Sequence, residues 1–155
     1  MERIESFKIN HLDLFPGIYV SRKDRSGGCT ITTFDLRITA PNREPAIDMP
    51  ALHTIEHMAA TYLRNGSEKD NIVYFGPMGC RTGCYLLMFG DLNSEDIYDL
   101  IVSMCDFIIN YEGEIPGSKP DECGNYLEQN LEMAKYYIKK YKEEIACKRR
   151  FSYPK

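Results

Sequence analysis

Polar and apolar residues alternate along residues 29 to 39, where the chain reads CTITTFDLRIT and β-branched side chains are frequent. Phe34 and Leu36 fall on one face of this segment, whereas Asp35 and Arg37 fall on the other. A period of two residues combined with β-branched enrichment is typical of a strand. The pattern therefore predicts a half-buried strand over residues 29 to 39.

Helical spacing replaces this alternation across residues 51 to 64, where apolar residues recur three and four positions apart. The segment before it is rich in proline, so a helix is predicted to begin after Pro50. Asn65 and Gly66 are a pair suited to a left-handed cap at the end of this helix. The pattern thus predicts one helix with defined limits at both ends.

Further elements are predicted on both sides of this helix. The first twenty residues favour an extended arm that can include a short strand, and residues 71 to 92 favour two strands joined by a glycine-rich turn. Ser94, followed by two acidic residues, is a suitable N-cap for a helix that continues through residues 97 to 111. Strong helix formers predict a last helix over residues 123 to 147.

Strands and helices therefore mix without the regular alternation of a βαβ protein, and the sequence holds no glycine-rich dinucleotide fingerprint. A chain of 155 residues has the size of one ordinary domain, and a second catalytic domain would not fit. We expect an α+β fold, with an antiparallel sheet packed against helices, in a single domain over residues 1 to 155.

Charge and hydropathy narrow the classes of function. The formal net charge is -4, and the only basic cluster is Lys148, Arg149 and Arg150, so a broad cationic surface for nucleic acid is not expected. No run of 18 apolar residues and no signal-peptide core is present, which predicts a cytoplasmic protein without membrane contact. Six cysteines are scattered along the chain, and in a reducing compartment they remain thiols that can bind metal or react.

The segment ALHTIEHMAATYL places His53 and His57 one helical turn apart, with Glu56 beside them. Two imidazoles at this spacing form a preorganised pair of metal ligands, and a thiol can supply the third ligand of a catalytic site. Ligand softness favours Zn²⁺ or Fe²⁺ without choosing between them. The same string also matches the inverted zincin pattern H-x-x-E-H, so a small metallopeptidase is an alternative, and a structural metal site in a binding protein is another.

Four other strings can be read together with HTIEH: ESFKINH, FDLRITAPN, GPMGCRTGCYL and ECGNYLEQNLEMAK. In this order and spacing they resemble the S-ribosylhomocysteine lyase family over nearly the whole chain. The resemblance implies a homodimer with active sites at the subunit interface. It also implies one divalent metal per subunit, held by His53, His57 and Cys123, with Fe²⁺ favoured and Zn²⁺ or Co²⁺ as alternatives.

The resemblance assigns further roles. It implies that Cys80 and Glu56 are the catalytic acid and base groups and that Ser6, His11 and Arg37 bind or orient the substrate. A free cysteine is mostly protonated near neutral pH, so Cys80 needs a nearby cation to act as a thiolate. Arg37, the adjacent Arg81 and the metal are the candidates.

Two positions depart from the family pattern. Cys84 stands where relatives usually carry an aromatic residue, and we interpret it as a small apolar strand residue rather than as a second catalytic thiol. Tyr74 stands where several relatives carry an aspartate that is thought to contact the amino group of the substrate. That contact is therefore in doubt for this chain.

The reaction implied by the resemblance is cleavage of the thioether of S-ribosylhomocysteine. Its products are homocysteine and 4,5-dihydroxy-2,3-pentanedione, the precursor of autoinducer-2. No organic cofactor is implied. Such a bond resists elimination until a carbonyl group stands next to the carbon that loses a proton, so two carbonyl shifts must precede a β-elimination.

Overall fold

The computed structural model of the chain describes residue 2 and residues 4 to 154, and at positions 5 and 6 it describes the backbone alone. The described residues form strands and helices that follow one another in an irregular order. They are α1 (Glu5–Lys8), β1 (Gly17–Ser26), β2 (Cys29–Arg37), α2 (Met49–Asn65), β3 (Ile72–Pro77), β4 (Gly83–Phe89), α3 (Tyr98–Ile109) and α4 (Leu131–Lys148), with 3₁₀ turns at Lys69–Asn71 and Ser94–Ile97.

The four strands form one antiparallel sheet in the order β1-β2-β4-β3. Strands β1 and β2 are joined by Gly27 and Gly28, whose φ angles are +56° and +80°. Two consecutive residues with positive φ are what a tight hairpin turn of the favoured hand requires. The predicted antiparallel sheet is confirmed, and the expected arm contains a short helix and the start of a strand that is longer than predicted.

One face of the sheet packs against α2, α3 and α4 and forms a single apolar core. Because both layers contribute to the same core, the α+β class and the single-domain expectation for the fold agree with the structure. Among the described residues, no helix is long and apolar enough to cross a membrane. The fully buried side chains of this core include Phe34, Leu36, Leu86, Ile55, Met58, Ile101 and Ile138.

The prediction that β2 is half-buried is wrong for the C-terminal part of the strand. Asp35 and Arg37, on the face away from the helices, are only 1% and 2% exposed. They can be buried because they form an ion pair with each other, and because Tyr153 from the C-terminal tail covers Asp35. The polar face of this strand is therefore part of the interior.

Two predicted helix caps are wrong, although α2 ends within one residue of the predicted limit. Gly66, at the end of α2, has extended backbone angles of φ -83° and ψ -174° rather than a left-handed cap. Ser94 is not the cap of the helical segment that follows it, because Asn93 and Asp96 form the capping box there. Ser94 is instead buried and donates a hydrogen bond to the carbonyl of Phe151, which ties the C-terminal tail to the domain.

The last helix begins eight residues later than predicted, at Leu131 instead of residue 123. Asn130 is its N-cap, with a side chain that accepts a hydrogen bond from the backbone N–H of Met133. Residues 123 to 130 are irregular because their backbone groups bind side chains of α2 instead of a helix ladder. This segment carries Cys123 towards the histidine pair.

Candidate metal centre and reactive thiol

The histidines of α2 converge as the helical spacing predicts. Their rings are 4.6 Å apart between centroids and nearly perpendicular, at 86°. The Sγ of Cys123 lies 3.4 Å from His53 Nε2, and the ligand atoms of His53, His57 and Cys123 all lie within 4.8 Å of one another. The structure thus brings together the three residues proposed as metal ligands.

Backbone carbonyls orient both imidazole rings. His53 Nδ1 is 2.9 Å from the carbonyl oxygen of Glu128, and His57 Nδ1 is 2.7 Å from that of Pro116. A carbonyl oxygen only accepts, so each Nδ1 carries the proton and donates it, which leaves each Nε2 lone pair available to a metal. Such outer hydrogen bonds are typical of histidine ligands.

Gly117 permits the close approach of the loop to His57. Its φ is +71°, and a Cβ atom at this position would lie 2.9 Å from His57 Nδ1. Any side chain here would therefore push against the ring that the neighbouring carbonyl of Pro116 orients. Sequence reasoning did not single out this glycine.

The donor set fits a divalent transition metal. Two imidazoles and one thiolate suit Zn²⁺ or Fe²⁺, and three protein ligands with a free position are typical of catalytic rather than structural sites. No further histidine, cysteine or carboxylate from the described part of the chain joins this cluster. The backbone N–H of Asn125 points at Cys123 Sγ over 3.4 Å, an outer hydrogen bond of the kind that orients metal ligands.

Glu56 lies on the same helix, next to a proposed ligand but outside the cluster. Its side chain is half-buried, and the residues that the structure describes give it no hydrogen-bond or ion-pair partner. Burial is the main cause of the raised pKa of the Cys84 thiol, and the negative charge of Glu56 raises it further. Cys84 is completely buried in the core, which confirms that it is an apolar packing residue.

Cys80 lies in the turn between β3 and β4, beside residues of β2 and β4. Its Sγ is 3.1 Å from Thr82 Oγ1 and 3.8 Å from a guanidinium nitrogen of Arg37. Burial alone raises the pKa of Cys80, but hydrogen bonds from Thr82 and the charge of Arg37 outweigh it, so the pKa lies below its ordinary value. Arg37, rather than Arg81, is therefore the side chain that contacts this thiol.

Arg37 is held at both ends of its guanidinium group. One terminal nitrogen donates to Thr82 Oγ1 over 2.6 Å, and the other donates to Asp35 Oδ2 over 2.5 Å. The same Oδ2 accepts a hydrogen bond of 2.9 Å from the hydroxyl of Tyr153. Sequence reasoning missed Asp35, Thr82 and Tyr153, although Asp35 stands two residues before Arg37 and so on the same strand face.

Several buried polar atoms on this sheet face have no partner. Arg37 Nε, Asp35 Oδ1, Thr33 Oγ1 and Thr39 Oγ1 make no hydrogen bond with the described residues. Unpaired buried polar atoms are costly, so this region offers hydrogen-bonding groups that a small polar molecule could use.

A cavity of about 220 Å³ opens beside these groups, and its lining includes His11, Arg37 and Cys80. An adjoining cavity of about 280 Å³ shares His11 and Cys80 with it. Neither lining includes a residue of the three-donor cluster. The predicted role of Ser6 concerns a side chain outside the described residues.

An α+β domain with two histidines of one helix and a cysteine of a distant loop in one cluster, and with a separate thiol of lowered pKa in the turn between β3 and β4, defines a small enzyme with a candidate metal centre. The family model for S-ribosylhomocysteinase (LuxS) matches residues 4–151, so the chain belongs to that family and is a carbon–sulfur lyase. The resemblance seen in the sequence motifs is thereby confirmed.

Curated relatives named S-ribosylhomocysteine lyase match nearly the whole chain. The protein of Finegoldia magna is 62% identical over 141 residues, which cover 91% of this chain and 90% of the relative. That of Phocaeicola vulgatus is 58% identical over 146 residues, which cover 94% of this chain and 91% of the relative. That of Clostridium acetobutylicum is 55% identical over 142 residues, which cover 91% of this chain and 90% of the relative.

Proposed function

We propose that this enzyme cleaves the thioether of S-ribosylhomocysteine to homocysteine and 4,5-dihydroxy-2,3-pentanedione, the autoinducer-2 precursor. The observation that carries the proposal is the convergence of His53, His57 and Cys123 in a chain that belongs to the S-ribosylhomocysteinase family. Relatives that share more than half of its residues carry a name that states this substrate.

The substrate sets the order of events. In the open ribosyl chain the sulfur is on C5 and the carbonyl is on C1, so loss of the C4 proton has no adjacent group to stabilise the charge. Moving the carbonyl to C2 and then to C3 makes the C4 proton acidic. Loss of that proton then expels the C5 thiolate, which gains a proton to become homocysteine, so no net oxidation or reduction occurs.

We propose that His53, His57 and Cys123 hold one divalent ion, with Fe²⁺ favoured over Zn²⁺ and Co²⁺. When bound, such an ion supplies a Lewis acid that stabilises negative charge on a carbonyl or hydroxyl oxygen by several kcal/mol. The backbone carbonyls on the two Nδ1 atoms keep the ligand nitrogens aimed at one point. The pair of rings is therefore preorganised for this ion.

We assign the proton transfers to Cys80 and Glu56. Cys80 is suited to take and return protons as a thiolate, because Arg37 and Thr82 lower its pKa. Glu56 has no partner among the described residues that would compete for its carboxylate. A positioned acid or base of this kind contributes about 10²- to 10⁴-fold to a rate.

His11 and Arg37 are assigned to substrate binding, because both line the cavity beside Cys80. The unpaired Nε of Arg37 offers a buried donor to a sugar hydroxyl. Ser6 is assigned to the same task on the strength of the family resemblance. Tyr74 is 49% exposed and carries a hydroxyl group instead of a carboxylate, so we assign it no contact with the amino group of the substrate.

We further propose a cytoplasmic homodimer with active sites at the subunit interface. The outer sheet face is suited to contact a second subunit, because Tyr74 and Phe89 are exposed there beside an apolar cavity of about 440 Å³.

Mixing the His11→Ala, His57→Ala and Cys80→Ala variants in pairs tests whether two subunits share an active site. We expect at least one pair to regain about a quarter of wild-type activity, since half of the dimers would be mixed. A monomeric mass with no rescue in any pair would contradict the proposal.

The decisive experiment for the reaction is a thiol-release assay with S-ribosylhomocysteine. We expect wild type to release homocysteine and Cys80→Ala to lose this activity while it keeps its fold and metal content. The matched control is Cys147→Ala, which removes another exposed thiol and should remain active. Release of homocysteine by Cys80→Ala at the wild-type rate would overturn the assignment, and a metallopeptidase or a structural metal protein would release none in any form.

A further inference from the structure

The C-terminal tail returns to the sheet and places Tyr153 on its outer face. The ring of Tyr153 stacks on Tyr19, with centroids 4.8 Å apart and planes 13° apart. Its hydroxyl donates to Asp35 Oδ2 over 2.9 Å. The tail before it is anchored by the backbone, because Ile18 N–H donates to the carbonyl of Arg150 over 3.0 Å. Stacking and hydrogen bonding thus fix the position of this tyrosine.

Asp35 links Tyr153 to the thiol site. It accepts from Tyr153 and from one terminal nitrogen of Arg37 on the same oxygen, while the other terminal nitrogen of Arg37 reaches Thr82 and Cys80. Asp35 and Arg37 are 1% and 2% exposed, so water does not compete for these bonds. The direction of the guanidinium group is consequently set by Asp35 on one side and Thr82 on the other.

We propose that Tyr153 is a positioning residue of the active site, because its hydroxyl holds Asp35 in the orientation that keeps Arg37 against the Cys80 thiolate. Tyr153 does not touch Cys80 and acts only through Asp35 and Arg37. The proposal rests on the proposed function in assigning Cys80 as the reactive thiol. It gives the C-terminal tail a task in the chemistry beyond packing.

The physical argument depends on the buried carboxylate. Burial raises the pKa of Asp35, whereas the charge of Arg37 and the hydrogen bonds from Arg37 and Tyr153 oppose that rise. Asp35 Oδ1 makes no hydrogen bond within the described part of the chain, so without the tyrosine hydroxyl only Arg37 would restrain the carboxylate there. A carboxylate with one donor can rotate, and the guanidinium that follows it moves away from Cys80 Sγ.

Removal of the Tyr153 hydroxyl leaves the other polar and charged groups around Cys80 in the protein. Arg37 faces the thiol from β2, Thr82 and Tyr85 from the turn and β4, His11 from the N-terminal segment, and Glu44 from the loop before α2. None of them hydrogen-bonds to Tyr153 in the described structure. If removal of the Tyr153 hydroxyl changes the pKa of Cys80, the change is therefore transmitted through Asp35 and Arg37.

The test compares Tyr153→Phe with Tyr19→Phe in the full-length protein with its metal. Tyr19→Phe removes a hydroxyl from the stacked partner, where it binds the carbonyl of Phe15 and not Asp35. The rate of Cys80 alkylation by iodoacetamide is followed against pH, with the Cys80 peptide quantified by mass spectrometry. We expect Tyr153→Phe to raise the Cys80 pKa by about half a unit, which lowers alkylation about threefold on the acid side, and Tyr19→Phe to leave it unchanged.

The acid limb of the kcat/KM profile should shift to higher pH by the same amount, while thermal unfolding confirms that both variants fold. An unchanged Cys80 titration in Tyr153→Phe would overturn the proposal. An equal shift in both variants would also overturn it, because tail packing and not the Tyr153 hydroxyl would then be the cause. Since alkylation needs no substrate, this outcome is separate from any failure of Cys80→Ala to lose lyase activity.

Discussion

At the residue scale, Asp35 and Arg37 form a buried ion pair beside Cys80, the proposed reactive thiol, and removing their two charges from water costs free energy. Burial lowers the pKa of Arg37, but the charge and hydrogen bond of Asp35, together with the charges of Cys80 and Tyr153, more than reverse this effect, so the guanidinium stays charged. A buried ion pair adds little net stability compared with apolar side chains. Its value here lies in keeping a permanent cation next to the thiol of Cys80, which itself faces the adjoining cavity.

Removing one member of the pair should be far more harmful than removing both. We expect Arg37→Met to lower the free energy of unfolding by roughly 3–5 kcal/mol, because the buried carboxylate of Asp35 is left without its cation. The double variant with Asp35→Leu should recover a large part of this loss. Urea denaturation of the two variants measures the difference, and a double variant as unstable as Arg37→Met would contradict the explanation.

Gly117 is a second residue whose role is local and steric. Gly117→Ala would place a Cβ 2.9 Å from His57 Nδ1 and so displace one imidazole of the candidate metal site. We expect metal affinity to fall by about 10- to 100-fold, the range seen when outer partners of ligands are lost. Competition with a chromogenic chelator measures the change.

Gly113→Ala is the matched control for Gly117→Ala. Gly113 also has a positive φ, of +119°, but a Cβ there would meet nothing within 4 Å. Both substitutions strain the backbone, whereas only Gly117→Ala presses on an imidazole. Equal losses of metal affinity in the two variants would show that backbone strain, and not the contact with His57, is responsible.

At the element scale, sequence periodicity correctly predicted features that depend on local helix geometry. It failed at the start of α4, which depends on hydrogen bonds to another element. The spacing of His53 and His57 followed from the helix alone, whereas only the resemblance to the family supplied Cys123, which is distant in sequence. Leu127, Glu128 and Gln129 are good helix formers next to α4, yet the carbonyl of Glu128 binds His53 and the N–H of Asn130 binds Thr54. A sequence pattern within one segment cannot predict these contacts with α2, so the predicted helix was too long.

Asn130 therefore marks the point where α4 can begin. Its side chain accepts from Met133 N–H, and we expect Asn130→Ala to lower the free energy of unfolding by about 1 kcal/mol, as for other lost N-caps. Asn110→Ala is the control, because the Asn110 side chain makes one exposed bond at the end of α3. Urea denaturation should separate the two, and an Asn130→Ala variant as stable as wild type would contradict this role.

At the scale of the whole molecule, the candidate metal site joins two parts of the chain that the sheet does not connect. His53 and His57 belong to α2, whereas Cys123 belongs to the irregular segment between α3 and α4. Within the protein, this segment is fastened to the histidines by two carbonyl hydrogen bonds. A bound ion would add a third link, so metal binding and folding stability should be coupled.

Anaerobic purification should yield about one divalent transition metal per chain, because a site with three protein donors binds one ion and Fe²⁺ is lost in air. Removing the ion with a chelator should lower Tm, since a ligand at a thousandfold excess over its Kd stabilises a fold by about 4 kcal/mol. The control is His57→Ala, which lacks one ligand and whose Tm should not respond to the chelator. Wild-type protein that holds no stoichiometric metal anaerobically, or a Tm that the chelator shifts equally in His57→Ala, would show that these three residues do not form the metal centre.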